Sequence, residues 1–451
     1  MKGFKSEKRI VFQTGSFVTF ASAGVEFAWQ TAQNFLKRKK GMVIKMKITA
    51  GGVCAAKGFR ASGIHCGIRK NKTKKDLALI YSEVQASAAA VYTTNLVKGA
   101  PLTVTKKHLQ SGKAQAVICN SGNANTCNAN GIEIAEKMSA LVSAELGIPA
   151  DDVIVASTGV IGQPLDIEPI ANGMAALMAG LGNTDVHSDD AAEGIMTTDT
   201  VKKEIAITFE VGGKICTIGG IAKGSGMIHP NMATMLVFIT TDVAISGDML
   251  AKALSSDIKN TFNMVSVDGD TSTNDMVAIM ANGMAGNDEI TCEGADFDAF
   301  MKALNTVTVY LCRMIAGDGE GATKLLECTV KGAETEEIAK TVAKSIICSS
   351  LVKAAMFGSD ANWGRVLCAI GYSGAPVDVS KVDVSFVSAA GEILVCKDGA
   401  GVEFSEELAK TILLEKEIGI AVSLNAGEAN AVAWGCDLTY DYVKINGDYR
   451  T

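Results

Sequence analysis

The strongest constraint on the fold is an alternation running through the middle and end of the chain. Short apolar runs, partly β-branched and bounded by turn residues, are separated by longer stretches with apolar residues at helical spacing. Residues 77–84, 88–92 and 114–120 predict strands. Residues 131–146 predict an amphipathic helix that stops at Gly147, a residue suited to a left-handed cap. A strand over 152–156 leads into Ser157-Thr158-Gly159, and a second helix follows over 167–181. Residues 203–211 and 214–221 predict a hairpin about Gly212-Gly213. Further on, 235–240, 382–387, 392–396 and 418–424 read as strands, and 248–262, 297–315 and 334–348 as helices. Strands and helices mixed in this order predict a layered α/β (α+β) architecture, without a convincing internal repeat.

Of the 451 residues, 48% are hydrophobic and 20% charged, enough apolar material for two or three packed units. The formal charge of −7, with no basic stripe interleaved with aromatics, argues against a nucleic-acid partner. No apolar run approaches the roughly 18 residues of a membrane span, so no membrane partner is expected. The twelve cysteines never form a Cys-x-x-Cys pair, and several, such as Cys119 and Cys368, sit inside apolar runs. Free buried thiols of a reducing compartment are therefore expected rather than disulfides or a metal site. His65, His108, His187 and His229 lack ligand spacing, so no metal centre is expected either.

Residues 1–45 differ from the rest, carrying nine Lys/Arg against two acidic residues. They read as a basic N-terminal extension, dispensable or preceding a later start at Met42 or Met46. A signal peptide, with an apolar region weakened by Gln13, Thr14, Ser16 and Thr19, and an organelle transit peptide are the alternatives. The remainder has the balance of a cytoplasmic enzyme.

The chemically informative stretch is Lys223-Gly-Ser-Gly-Met-Ile-His-Pro-Asn-Met-Ala-Thr-Met-Leu236, followed by Val237-Phe-Ile-Thr-Thr-Asp242. A Gly-rich turn passes Pro230 and enters a strongly apolar strand, leaving the Thr234 hydroxyl at the strand's edge after the small Ala233. This arrangement suits an N→O acyl shift: Thr234 attacks the Ala233 carbonyl, and hydrolysis of the ester frees Thr234 as a new N-terminus. One residue then supplies both a nucleophile and a base, because a free α-amine has a pKa of roughly 7.7–8.0. Taken alone, an Ala-Thr step reads as a strand-edge threonine bonding locally. The Lys-Gly-Ser-Gly run lacks the spacing and ending of a P-loop.

The whole block resembles the ornithine acetyltransferase (glutamate N-acetyltransferase) family of arginine biosynthesis, whose members cleave themselves at Ala-Thr within this motif. The resemblance extends from about Gly51 to Thr451. It includes Lys57-Gly-Phe-Arg60, Tyr92-Thr-Thr-Asn95, Asn120-Ser-Gly-Asn-Ala-Asn125, Ser157-Thr-Gly-Val-Ile-Gly162 and Met196-Thr-Thr-Asp-Thr200. It continues through Asp268-Gly-Asp-Thr-Ser-Thr-Asn-Asp275, Asp318-Gly-Glu-Gly-Ala-Thr-Lys324 and Phe357-Gly-Ser-Asp-Ala-Asn-Trp-Gly-Arg365.

The resemblance implies an α/β sandwich with sheets between helical layers, in two lobes, of the self-cleaving N-terminal-nucleophile type. It implies a first piece of residues 46–233, behind the extension, and a second of residues 234–451. Thr234 is the implied nucleophile, Ala233-Thr234 the cleavage site, and Thr158 with Gly159 the oxyanion hole. Thr197, Lys223, Thr234, Glu320, Asn446 and Thr451 are the implied substrate contacts. The implied reaction is ping-pong transfer of acetyl from N-acetylornithine to glutamate by a heterotetramer of two pairs of pieces. No cofactor is expected; acetyl-CoA enters, if at all, as a second donor substrate. The nearest rival is a self-processing N-terminal-nucleophile aminopeptidase or amidohydrolase on a related fold. A catalytically silent binding subunit is disfavoured by intact Thr234, Thr158, Gly159, Lys223 and Glu320. The carboxylates at 268–275 are expected to form turns and interdomain hydrogen bonds rather than a cation site, and 120–125 to support the active site structurally.

Overall fold

The computed structural model describes residues 46–229 and 235–448. The basic head, the Ala233-Thr234 step and Thr451 lie outside the described residues. Among those described, the strands are β1 (Lys47–Thr49), β2 (Phe59–Ile64), β3 (Leu77–Tyr92), β4 (Lys113–Asn123), β5 (Val153–Val160), β6 (Lys203–Val211), β7 (Lys214–Lys223) and β8 (Leu236–Thr241). They continue as β9 (Val265–Ser266), β10 (Met276–Ala281), β11 (Leu325–Ala333), β12 (Asp383–Ser388), β13 (Gly391–Lys397), β14 (Ala400–Gly401), β15 (Glu417–Ser423) and β16 (Ala429–Cys436).

These strands form two mixed sheets. The first runs β1-β6-β7-β8-β10-β3-β4-β5, with β2 also on β3; the second runs β14-β13-β12-β15-β11-β16-β9. The helix Ala295–Gly317 packs against β6 and β7 of the first sheet and β11 and β16 of the second. It buries Phe300, Leu304, Val307, Leu311 and Ile315. The expected layered α/β architecture is what the chain adopts.

In the first sheet β3 pairs with three strands, β2, β4 and β10. Residues 77–84 and 88–92, read as two strands, are one sixteen-residue strand. Its register with β4 shifts between Tyr81 and Ala86, a bulge that bends a long strand without ending it. Ala78 and Ile80 of β3, Val117 and Cys119 of β4, and Ile154 and Ala156 of β5 share one core with Ile221 of β7, Phe238 of β8 and Met280 of β10. Burying each large side chain contributes about 1.5–3 kcal/mol.

Two strands that follow Thr234 in the chain, β8 and β10, lie between β7 and β3, which precede it. β8 pairs antiparallel with β7 and parallel with β10. Chain on the two sides of Ala233-Thr234 is therefore interleaved within one sheet.

Helix starts follow their caps. Ser246 accepts from Met249 N and starts a helix at Gly247; Thr335 accepts from Ile338 N and starts one at Glu336. All twelve cysteines are free. The expectation of burial fails at Cys127, Cys292 and Cys368, which are exposed. Cys368 sits in an apolar run, but its helix Trp363–Gly371 turns Val366, Ala369 and Ile370 inward instead. Among the described residues, no helix is long and apolar enough to cross a membrane.

Candidate active site

The end of β5, the end of β7 and the starts of β8 and β10 converge on a small pocket. It is lined by Thr158, Lys223, Gly226, Met227, Ile228, Met235, Leu236, Ser272, Asn274 and Asp275. Thr158 and Lys223, singled out from the sequence, thus share one cavity with Met235, the residue that follows Thr234.

Gly159 follows Thr158 along β5, in parallel register with Gly122 of β4. Its φ of 130° favours glycine, and an added Cβ would stand 2.3 Å from the Gly122 carbonyl carbon. The polar residues of 120–125 brace this turn. Ser157 Oγ donates to Asn120 Oδ1 at 2.5 Å, Asn120 Nδ2 to Asn123 O at 2.9 Å, and Asn125 N to Asn123 Oδ1 at 2.8 Å. From the opposite side, Asn274 Nδ2 donates to Ala124 O at 2.5 Å and to Ser157 O at 3.0 Å. The expected supporting role of 120–125 is what these bonds perform.

Lys223 ends β7, level with Leu236. Burial pushes its ammonium below the usual lysine range, although Asp199 and Asp275 pull the other way. Asp199 accepts from Gly224 N at 2.8 Å, Thr197 N at 3.0 Å and Lys203 Nζ at 2.7 Å. Burial opposes its charge, but Lys203, Lys223 and the Gly224 N–H outweigh it and hold the carboxyl below its usual range. Thr197 is half-buried and joins the Lys223 segment through Asp199.

Glu320 is buried behind the pocket wall. A Cβ on Gly226 would lie 2.6 Å from its carboxyl carbon, so glycine there lets the chain run against Glu320. Glu320 N donates to Ser225 O at 3.2 Å, and Glu320 Oε2 accepts from Asn446 Nδ2 at 2.7 Å. The structure thus pairs two predicted substrate contacts, Glu320 and Asn446, across the wall from Thr158 and Lys223.

The loop between them is strained and held. Ser225 and Met227 have φ of 91° and 53°, unusual for non-glycine residues. Asp268 clamps the loop, accepting from Met227 N at 2.7 Å and Ile228 N at 2.9 Å. Asp268 therefore does the turn and cross-chain bonding expected of its block. His229 Nδ1 lies 3.1 Å from Ser266 Oγ, and burial pushes the ring down to about 4.

Asp275 departs from the expectation of turn and cross-chain bonding for its block. Asp275 lines the pocket, and its Oδ2 is buried without a hydrogen-bond partner. Burial raises it well above the usual carboxyl range, and the Ser272 hydroxyl and Lys223 offset only part of this. A sequence signal existed: Asp275 immediately precedes the wholly apolar β10, as Thr234 precedes Met235 and β8.

Mixed sheets packed with helices, and a pocket where hydroxyl-, lysine- and carboxyl-bearing residues converge at strand ends, define an α/β enzyme. The chain matches the family model described as the ArgJ family over residues 60–451. It is 53% identical over 407 residues to the arginine biosynthesis bifunctional protein ArgJ of Caldanaerobacter subterraneus subsp. tengcongensis, covering 90% of this chain and 100% of that relative. It is 52% identical over 394 residues to the arginine biosynthesis bifunctional protein ArgJ 1 of Clostridium acetobutylicum, covering 87% and 96%. Among solved structures, the ornithine acetyltransferase complexed with ornithine from Mycobacterium tuberculosis is 37% identical with a TM-score of 0.39, covering 42% of this chain and 100% of that one. The chain belongs to the ArgJ family.

Proposed function

We propose that this enzyme cuts itself between Ala233 and Thr234 and then moves acetyl from N-acetylornithine to glutamate in arginine biosynthesis. The observation that carries the reading is the single pocket lined by Thr158, Lys223 and Met235, which is bonded to Thr234. The names of the ArgJ relatives support the pathway, and the name of the M. tuberculosis enzyme supports the substrate.

In this mechanism the Thr234 hydroxyl attacks the acetyl carbonyl while the new α-amine takes its proton. The Thr158 hydroxyl and Gly159 N–H hold the oxyanion that develops. Ornithine leaves, glutamate enters, and its amine takes the acetyl from the threonine ester. Lys223 binds the α-carboxylate that both amino acids carry. Glu320, held by Asn446, meets the amino group of ornithine, and Thr197 and Thr451 complete the substrate contacts. No cofactor enters the cycle; acetyl-CoA is a second, weaker donor.

Cleavage gives pieces of 233 and 218 residues when counted from Met1. The interleaving of β8 and β10 between β7 and β3 supports their staying together, and two such pairs form a cytoplasmic heterotetramer.

The test is a denaturing gel followed by two assays. Two bands are expected, and a single band at full length would sink self-cleavage. Acetyl transfer from N-acetylornithine to glutamate is expected to exceed release of free acetate; the reverse would make the enzyme a hydrolase.

A further inference from the structure

Before the cut, the proposed mechanism lacks its base. The nitrogen of Thr234 is then an amide of the Ala233–Thr234 bond and cannot take the hydroxyl proton. An N→O acyl shift also needs a proton delivered to that nitrogen as it leaves. The pocket holds a group suited to both transfers. Asp275 is 4% exposed, lines the pocket with Lys223 and Thr158, and its Oδ2 has no hydrogen-bond partner.

Register sets where Asp275 stands along the sheet. Met276 N donates to Met235 O at 2.8 Å, and Met276 is level with Leu236 across the parallel pair β8 and β10. Asp275 is therefore carried to the start of β8, alongside Met235 and one residue from Thr234 in sequence. Lys223 approaches the same point from β7.

We propose that Asp275 is the proton carrier of self-cleavage. This rests on the reading of Thr234 as the first residue of the second piece. Thr234 Oγ bonds to the Ala233 carbonyl carbon while its proton passes to the Asp275 carboxylate. The carbon–nitrogen bond of Ala233–Thr234 breaks as that proton passes on to the nitrogen. Water then hydrolyses the ester, which frees the Ala233 carboxylate and restores the Thr234 hydroxyl. A carboxylate held above its usual range by burial is a stronger base than an exposed one, and its acid can still protonate a departing amide nitrogen.

The test follows the cutting of freshly made full-length chain over time by denaturing gel. Asp275→Asn is expected to slow cutting by about 100-fold or more, with an unfolding temperature near that of the parent chain. Asp275→Glu, which keeps the carboxyl, is expected to cut faster than Asp275→Asn. Hydroxylamine, which attacks esters, is expected to cut the parent chain but not Asp275→Asn, because the ester does not form there. Cutting of Asp275→Asn at the parent rate would overturn the proposal. So would its rapid cutting by hydroxylamine, or loss of its fold, which would make Asp275 structural. A parent chain that never cuts would instead defeat the reading of Thr234.

Discussion

Lys203 Nζ meets Asp318 Oδ2 at 2.5 Å in a buried ion pair that joins residues from opposite sides of Ala233-Thr234. Asp199 holds the same ammonium at 2.7 Å, and Thr200 N donates to Asp318 Oδ2 at 3.1 Å. Burial penalises the Lys203 charge, yet the two carboxylates outweigh it and raise its pKa. Lys203→Met would leave both carboxylates enclosed without their cation. Such a break costs about 3–5 kcal/mol, so the midpoint of denaturant unfolding is expected to fall accordingly. The same variant, once cut, is expected to release its two pieces at lower urea than the parent on size-exclusion chromatography.

Thr158→Val removes the hydroxyl proposed for the oxyanion and nearly preserves shape. Loss of one such donor lowers kcat by about 10²–10³-fold, and KM for N-acetylornithine should change little. Gly159→Ala is expected to be worse, because its Cβ would stand 2.3 Å from the Gly122 carbonyl carbon at a φ that disfavours side chains. Steady-state kinetics on fully cut protein separate the two effects. Unchanged kcat in Thr158→Val would remove Thr158 from the mechanism.

The legible part of the fold was the part with clear local period. The helix Gly131–Leu146, the hairpin of β6 and β7 and the strand β8 stand within a residue or two of where pattern alone puts them. β11 and β16 lie outside the predicted strands, though both are interior strands of the second sheet. The Ala429–Cys436 segment has weak strand propensity of its own. It is extended because β11 and β9 pair with it on either side and the helix Glu336–Cys348 covers it. The site divides in the same way. Motif resemblance reached Thr158, Gly159, Lys223, Glu320 and Asn446, but Asp199 and Asp275 join the site through partners distant in chain. Asp199 bonds Gly224 N, and Asp275 becomes part of the pocket through the pairing of β10 with β8.

Asn446 Nδ2 donates to Glu320 Oε2 at 2.7 Å, which fixes the carboxylate that Gly226 lies against. Asn446→Ala frees that carboxylate without removing its charge. An orienting hydrogen bond to a charged group contributes about 1.5–3 kcal/mol. KM for N-acetylornithine should therefore rise about tenfold or more, with kcat less affected. Self-cleavage, which uses no substrate, should proceed at the parent rate. A parental KM would detach this pair from substrate binding.

Glu204 gives a prediction away from the pocket. Its Oε2 accepts from Ser188 Oγ at 2.8 Å, and a Cβ on Gly52 would stand 2.5 Å from the same oxygen. Burial raises its carboxyl to about 7; the Ser188 hydrogen bond opposes this, Asp189 adds to it and Lys202 reduces it. The folded protein therefore binds the Glu204 proton over a pH range in which the unfolded chain has released it. The resulting stability is full below the unfolded pKa of about 4.5 and is lost as pH rises towards 7. Glu204→Gln keeps a neutral, hydrogen-bonding side chain at every pH, so it removes this slope. The variant should match the parent near pH 4 and exceed it above pH 7 by about 3 kcal/mol. Denaturant unfolding of both proteins across this range, read as the difference between them, cancels the titration of other groups. A difference that stays flat with pH would mean that Glu204 ionises as freely in the folded protein as in the unfolded chain.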